Sequence, residues 1–356
     1  MDSEETLVIF KSGGGGYDEV GAYLAEIPTK NLCKSLLLDG PIYIQNATFP
    51  RQAGTPIFDY GKDRIFWAVA NDGDHKIRLW RMDAHFSLVS SQIIPIEMTH
   101  DTPPYVMHDG ETLVVGFFTG VGDELALSRR SGQDKKWTAL PFNSRAASRI
   151  QDEFGKHVIF YNPPANTALQ YIFCLRPSRD GVGINTIRKE SLGELPDDNT
   201  IQWHWTFGQL EYPAVKPNEG SYAPIILHDK TTRKNRLYIF SLVDGKSLFY
   251  SFFPLRQDGS MDTYERKTTA QDVQKLEIEP VFTGSKIKVH QANQQIILLV
   301  ETQRNDHPLV GYSGWVGDDG SPPVPTLWQK IDIKFQSKAD AGGRVFESIV
   351  IPSSWK

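Results

Sequence analysis

Six short apolar runs recur along the chain, and nothing else narrows its fold as far: Leu7–Phe10, Ile65–Ala70, Leu113–Phe118, Val158–Tyr161, Leu237–Leu242 and Ile296–Val300. They stand roughly 45 to 80 residues apart, the spacing of repeats of ~40–50 residues with loop insertions. Around the second run the unit is plain. Thr55–Gly61, Arg64–Ala70, Lys76–Met82 and Ser87–Pro95 are four strand-like segments separated by turn residues. The third repeats the order in Pro103–His108, Thr112–Thr119, Glu124–Arg129 and Trp137–Pro141. Links of hairpin length make each unit a four-stranded antiparallel meander. One meander cannot bury both faces alone, whereas radial stacking buries both and leaves only short edges.

The expected fold is therefore all-β: a six-bladed β-propeller, with five or seven blades as alternatives, in one domain over residues 1–356. The first apolar run lies near the N-terminus and a last strand, Val345–Pro352, follows the sixth. The first blade is expected to be closed by both chain ends. Insertions are expected near 185–220 and 310–325. Helical periodicity is nearly absent, and only Ala270–Leu276 suggests a helical turn.

Charge and composition exclude several partners. The formal net charge is −5, against the local excess of Lys and Arg that nucleic-acid phosphate requires. The basic cluster Lys230–Lys234 reads as a hairpin tip. No apolar run approaches the ~20 residues of a membrane span, and Met1-Asp-Ser-Glu-Glu5 is acidic where a secretory signal is basic and then apolar. No membrane insertion, no nucleic acid and a cytoplasmic location are the expectations. Cys33 and Cys174 sit in separate apolar runs and read as two buried thiols.

Motifs with specific chemistry are missing. Gly13–Gly16 is followed by no Lys-Ser/Thr, so it reads as a loop rather than a phosphate cradle. Asn71–His75 and Asp318–Gly320 are turn sequences without the closing Glu of a calcium loop. Histidines and cysteines show no zinc spacing, and no Gly-x-Ser-x-Gly elbow occurs. Neither a metal nor a cofactor is expected.

In such a fold, loops leading into first strands and loops joining second to third strands share one rim, where function collects. That rule selects Arg51, His100 and Arg149 from the connecting loops and His228 from a first strand as candidate catalytic donors. Tyr105, Tyr161, Trp203, Trp205, Tyr222 and His290 are the candidate substrate-binding residues. Trp203-His204-Trp205 places both indoles on one face of a strand, either as core or as a wall over the channel. Residues at comparable rim positions differ from unit to unit, which favours one asymmetric site.

In its length, its blades of the Thr55–Met82 type and its lack of catalytic motifs, the chain resembles the fungal biosynthetic propellers that act as hetero-Diels–Alderases in tropolone–sesquiterpenoid pathways. The resemblance implies a cofactor-independent cyclase for small hydrophobic substrates. A tropolone-derived quinone methide would be captured by a terpene alkene, promoted by orientation and by hydrogen bonding to oxygen. Two other classes stay open: a cytosolic carbohydrate-binding propeller lectin and a protein-interaction scaffold. Oligomeric state is not legible.

Overall fold

The structure, a computed structural model, describes residues 5–12, 19–48, 57–60, 66–71, 76–97, 105–108, 113–119, 124–130, 137–139, 157–161, 169–178, 181–190, 202–211, 222–229, 232, 235–243, 245–255, 274–277, 284–302, 308–336 and 345–352. Among them the fold is all-β, apart from one short 3₁₀ turn at Pro325–Leu327. No helix of the described residues is long and apolar enough to cross a membrane.

Four sheets are four-stranded meanders. The first comprises β4 (Ile57–Tyr60), β5 (Phe66–Asn71), β6 (Lys76–Met82) and β7 (Leu88–Glu97). The second holds β8 (Tyr105–His108), β9 (Leu113–Thr119), β10 (Glu124–Arg130) and β11 (Trp137–Ala139). β12 (His157–Tyr161), β13 (Leu169–Ser178), β14 (Gly181–Glu190) and β15 (Gln202–Glu211) form the third. The fourth is β16 (Tyr222–His228), β17 (Asn235–Val243), β18 (Ser247–Leu255) and β19 (Gln274–Lys275). The remaining strands are β1 (Glu5–Ser12), β2 (Glu19–Ile27), β3 (Ser35–Thr48), β20 (Gly284–Ala292), β21 (Gln295–Thr302), β22 (Leu309–Trp315), β23 (Gln329–Phe335) and β24 (Val345–Pro352). They join in one sheet ordered β20-β21-β22-β23-β3-β2-β1-β24. β24 therefore pairs with β1, uniting the two ends of the chain. First strands pack on one another from sheet to sheet: β24 on β4, β4 on β8, β12 on β16, β16 on β20 and β20 on β24.

On β1, β17 and β21 the apolar runs are continuous because both faces of these strands are covered. On β21, Ile296, Leu298 and Val300 pack with Tyr238, Phe240 and Leu242 of β17. The intervening Ile297 and Leu299 pack with Leu7 and Ile9 of β1. β1 repeats the arrangement, its Val8 and Phe10 facing Trp80, Met82 and Phe86 beyond β6. A period of two thus hands each sheet to both neighbours.

Three segments differ from their sequence reading. Val158–Tyr161 belongs to β12, the first strand of its sheet, and the second is β13, which carries Cys174. Apolar content alone does not separate these positions, since β12 and β13 both carry apolar runs. That shift accounts for the wide gap before Leu237: within 185–220 lie the end of β14 and all of β15, while 191–201 and 212–220 fall outside the described residues. In the 310–325 stretch, Val310–Trp315 continues β22, so the loop starts only at Val316. Gln274 and Lys275 are extended rather than helical, bridging to Tyr250 and Phe249. No local propensity encodes that distant partner.

The junction between β20–β23 and β1–β3 is sewn by polar side chains. Parallel pairing of Asp332–Phe335 with Ser35–Leu38 supplies the backbone seam. Beside it, Gln295 is fully buried. Its amide accepts from the Cys33 N–H at 2.7 Å and donates to the Pro28 and Asn31 carbonyls at 2.7 and 2.9 Å. Ser313 donates its hydroxyl to the Cys33 carbonyl at 2.5 Å. The β20–β21 turn places Asn293 and Gln294 at φ 47° and 63°, the left-handed pair that a two-residue hairpin of matching twist demands. Asn293 then reaches the Ile27 carbonyl at 3.1 Å, and its N–H donates to the Glu5 carboxylate. Burial pushes the Cys33 thiol up to about 11, so it is a small core residue rather than a nucleophile.

Gln295→Ala leaves one buried N–H and two carbonyls without this partner. At ~1 kcal/mol per lost bond the expected loss is about 3 kcal/mol, read as a lower denaturant midpoint at unchanged slope.

Candidate functional site

Two connections that join third to fourth strands in the eight-stranded sheet, Pro28–Lys34 and Val316–Trp328, stand side by side at this junction. Between them lies an open groove of about 840 Å³. Pro28, Asn31, Leu32, Lys34 and Ser35 form one wall. Trp315, Val316, Gly317, Ser321, Pro322, Pro323, Val324, Leu327 and Gln329 form the other wall and the floor. Large apolar side chains are exposed in it: Trp315 by 41%, Val324 by 55% and Leu327 by 62%. A second hollow of about 810 Å³ over β2 and β3 is lined by Leu24, Glu26, Leu37, Asp39 and Ile42, with no aromatic ring among its described lining residues.

The Val316–Trp328 wall is held from several directions. Val316 N–H donates to the Gln294 carbonyl at 2.8 Å, and Gly317 N–H to the Ser321 carbonyl at 2.9 Å. The Pro323 carbonyl accepts from Trp328 Nε1 at 3.2 Å and from the Tyr250 hydroxyl at 3.5 Å. Burial pushes that phenol up to about 12, which keeps it protonated as a donor. Asp319 Oδ1 accepts from the Ser321 hydroxyl at 2.6 Å and amide at 3.0 Å. These bonds hold its carboxyl below the usual carboxylate range. Arg236 of β17 lies 3.9 Å from both Asp319 and the buried Asp229, and stacks on Phe252 at 5.2 Å. Gly320, at φ +71°, passes so close to His228 and Asp229 that a Cβ would sit 2.6 Å from the His228 carbonyl carbon. The wall is therefore preformed and braced on the neighbouring sheet.

The residues selected from sequence fall in separate places. Arg51, His100 and Arg149 lie outside the described residues, and of Tyr105, Tyr161, Trp203 and Trp205 only the backbone is described. Tyr105 opens β8 and Tyr161 ends β12. Trp203 and Trp205 lie on β15, the edge strand farthest from β12, opposite Lys189 and Ile187. Tyr222 and His228 stand at opposite ends of β16, and Tyr222 is fully buried. His228 is exposed, its Nδ1 2.9 Å from Asn235 Oδ1, under the brace at Gly320. His290 faces β24, with Nε2 2.7 Å from Ser348 Oγ and the Lys288–Glu347 ion pair, also 2.7 Å, one register step away. Enclosure of the ring, and then the positive Lys288, hold His290 down at about 3.

Trp315, Lys34 and Gln329 were not selected, because strands alternate in direction and third-to-fourth connections emerge on the rim opposite the expected one. The available signal was a Trp directly ahead of a Gly- and Pro-rich segment, Val316–Pro325. Among the described residues no group of three or more His, Cys, Asp and Glu could hold a metal ion.

No protein-family model matches the chain, and no curated protein matches it in sequence. Among solved structures, AofleA from Arthrobotrys oligospora superposes with a TM-score of 0.50 at 10% identity, over 99% of this chain and 92% of that one. A mutant of AofleA gives 0.50 at 12%, over 99% and 93%. The Aleuria aurantia lectin, as a mutant in complex with α-methyl-L-fucoside, gives 0.45 at 12%, over 91% and 96%. The AofleA likeness shows the fold alone: all-β and propeller-like.

Two outcomes are expected. Gly320→Ala forces both a left-handed alanine and a backbone clash, costing about 1–3 kcal/mol and loosening the groove wall, seen as faster amide exchange at Gly317–Ser321. For His290, the unfolded chain takes up a proton near pH 6.5 and the native ring only near pH 3, so the stability from the neutral ring is lost as pH falls through that interval. His290→Gln flattens the decline between pH 7 and pH 5 relative to the wild type, measured by denaturant unfolding at each pH.

Proposed function

We propose that this chain is a single-domain, six-bladed β-propeller that binds a saccharide in the Trp315 groove. The blade count follows from reading the eight-stranded sheet as two four-stranded blades sharing the parallel β23–β3 seam; β24, β4, β8, β12, β16 and β20 are then the six first strands.

The observation that carries the binding reading is the exposed Trp315 on a fixed, open groove with polar groups on its border. A sugar ring has an apolar C–H face and a hydroxyl edge. An indole covers the first, while Asn31, Ser35, Ser321 and Gln329 offer donors and acceptors to the second. The groove is open to solvent rather than enclosed, so a sugar unit can rest on it while its neighbours extend outward. Catalysis by confinement needs the reverse, a site that expels water around its reactants.

The cycloaddition reading keeps one supporting observation. His290 and Ser348 form a neutral hydrogen-bonding pair between two first strands, where a carbonyl or tropolone oxygen would be polarised without net charge. In that reading Arg51, His100, Arg149 and His228 are the donors, and Tyr105, Tyr161, Trp203, Trp205 and Tyr222 are the walls.

Trp315→Ala is expected to weaken saccharide binding on the order of tenfold, the loss of about 1.4 kcal/mol of stacking, by calorimetric titration with an oligosaccharide panel. Because the indole is partly exposed, the melting temperature changes little. Unchanged affinity for every bound sugar would remove the groove as the site.

A further inference from the structure

The groove is lopsided in charge. Among the described residues that line it, Lys34 is the one charged side chain and none is a carboxylate. Lys34 is exposed, and no ion-pair partner of its ammonium is found among the described residues. Lys30, also exposed, adjoins the lining residue Asn31 on the same wall. On the other side Asp318 adjoins Gly317, while Asp319 is engaged by Ser321 and Arg236. The nearby carboxylate of Asp332 is 2.6 Å from Lys334, which neutralises it within its own strand. Lys34, with Lys30 on the same wall, thus stands across the groove from the indole, in a protein whose formal net charge is −5.

We infer that the ligand is an acidic saccharide, its carboxylate or sulfate held at Lys34 while a neighbouring sugar ring lies on Trp315. The inference rests on the saccharide reading above and adds the charge. A backbone seam fixes the base of Lys34, whose carbonyl accepts from the Asp332 N–H at 2.9 Å, so the ammonium projects from an ordered strand entrance. Gln329 and Asn31 beside it supply neutral donors that a carboxylate or sulfate accepts from equally well. A neutral sugar uses the indole and the amides but leaves the ammonium in water. A lysine is a compact point charge rather than a fork, so it selects for charge and not for one anion geometry. The selectivity is therefore modest and sensitive to salt.

The test uses the full chain and two matched pairs: tetragalacturonate against its methyl ester, and a κ-carrageenan tetrasaccharide against its desulfated form. At low salt one acid is expected to bind on the order of fivefold tighter than its neutral counterpart, with the difference shrinking at ~0.5 M NaCl. Lys34→Gln is expected to erase the difference between acid and neutral forms. Lys34→Arg retains it. Trp315→Ala weakens acid and neutral sugars alike. Equal binding of acid and neutral forms, or a preference that survives Lys34→Gln, overturns the acidic-ligand inference and leaves the saccharide reading standing. Failure of all four sugars to bind removes both, and inorganic phosphate competing as well as the acids would mark bare anion binding and overturn it too. Melting curves of each variant confirm the fold, which exposed Lys34 does not support.

Discussion

Burial of both faces of a second strand is the constraint on which the described architecture rests. On β21, alternate side chains leave in opposite directions, Leu298 toward β17 and Leu299 toward β1. Each such residue adds roughly 1.5–3 kcal/mol of transfer free energy. The larger consequence is geometric: a strand with two apolar faces forces a sheet on either side of it. Repeated on β1, whose Phe10 meets Phe86 edge-on at 5.7 Å, this propagates the stack from one sheet to the next.

Stacking sheets does not by itself decide how the two halves of the eight-stranded sheet join. At the β23–β3 seam, apolar packing gives way to directional bonds: a parallel ladder, the three bonds of Gln295 and the Ser313 hydroxyl. A hydrophobic contact tolerates sliding, whereas a buried amide with three fixed partners tolerates one register. The groove inherits its precision from this arrangement. Pro28–Ser35 is positioned by Gln295, and Val316–Trp328 begins where Val316 bonds to Gln294, the preceding residue. The groove's geometry and the joining of the two halves of the eight-stranded sheet are thus set by the same turn. The groove walls are held by the same bonds that hold the junction, so little ordering is left to be done when a ligand binds there.

Much of the fold was legible in the residues. Five of the six apolar runs mark second strands, and on β1, β17 and β21 both faces are enclosed, which leaves little place for polar residues. The sixth, Val158–Tyr161, is a first strand. Less of the groove could be read. Trp315 and Lys34 are separated by most of the chain, and only the β23–β3 seam brings their loops together. His228 was legible as a polar residue ending a first strand, but not as the backbone partner of Gly320.

The sequence alone determined the repeat and the strand class, together with the two-faced burial and the lack of a basic or metal-binding signature, because each is a property of side-chain type and short-range order. Tertiary structure decided which rim carries a groove, which loops wall it and which lysine stands in it. Those facts depend on strand direction and on pairing between the two ends of the chain, and neither leaves a local trace in the order of residues.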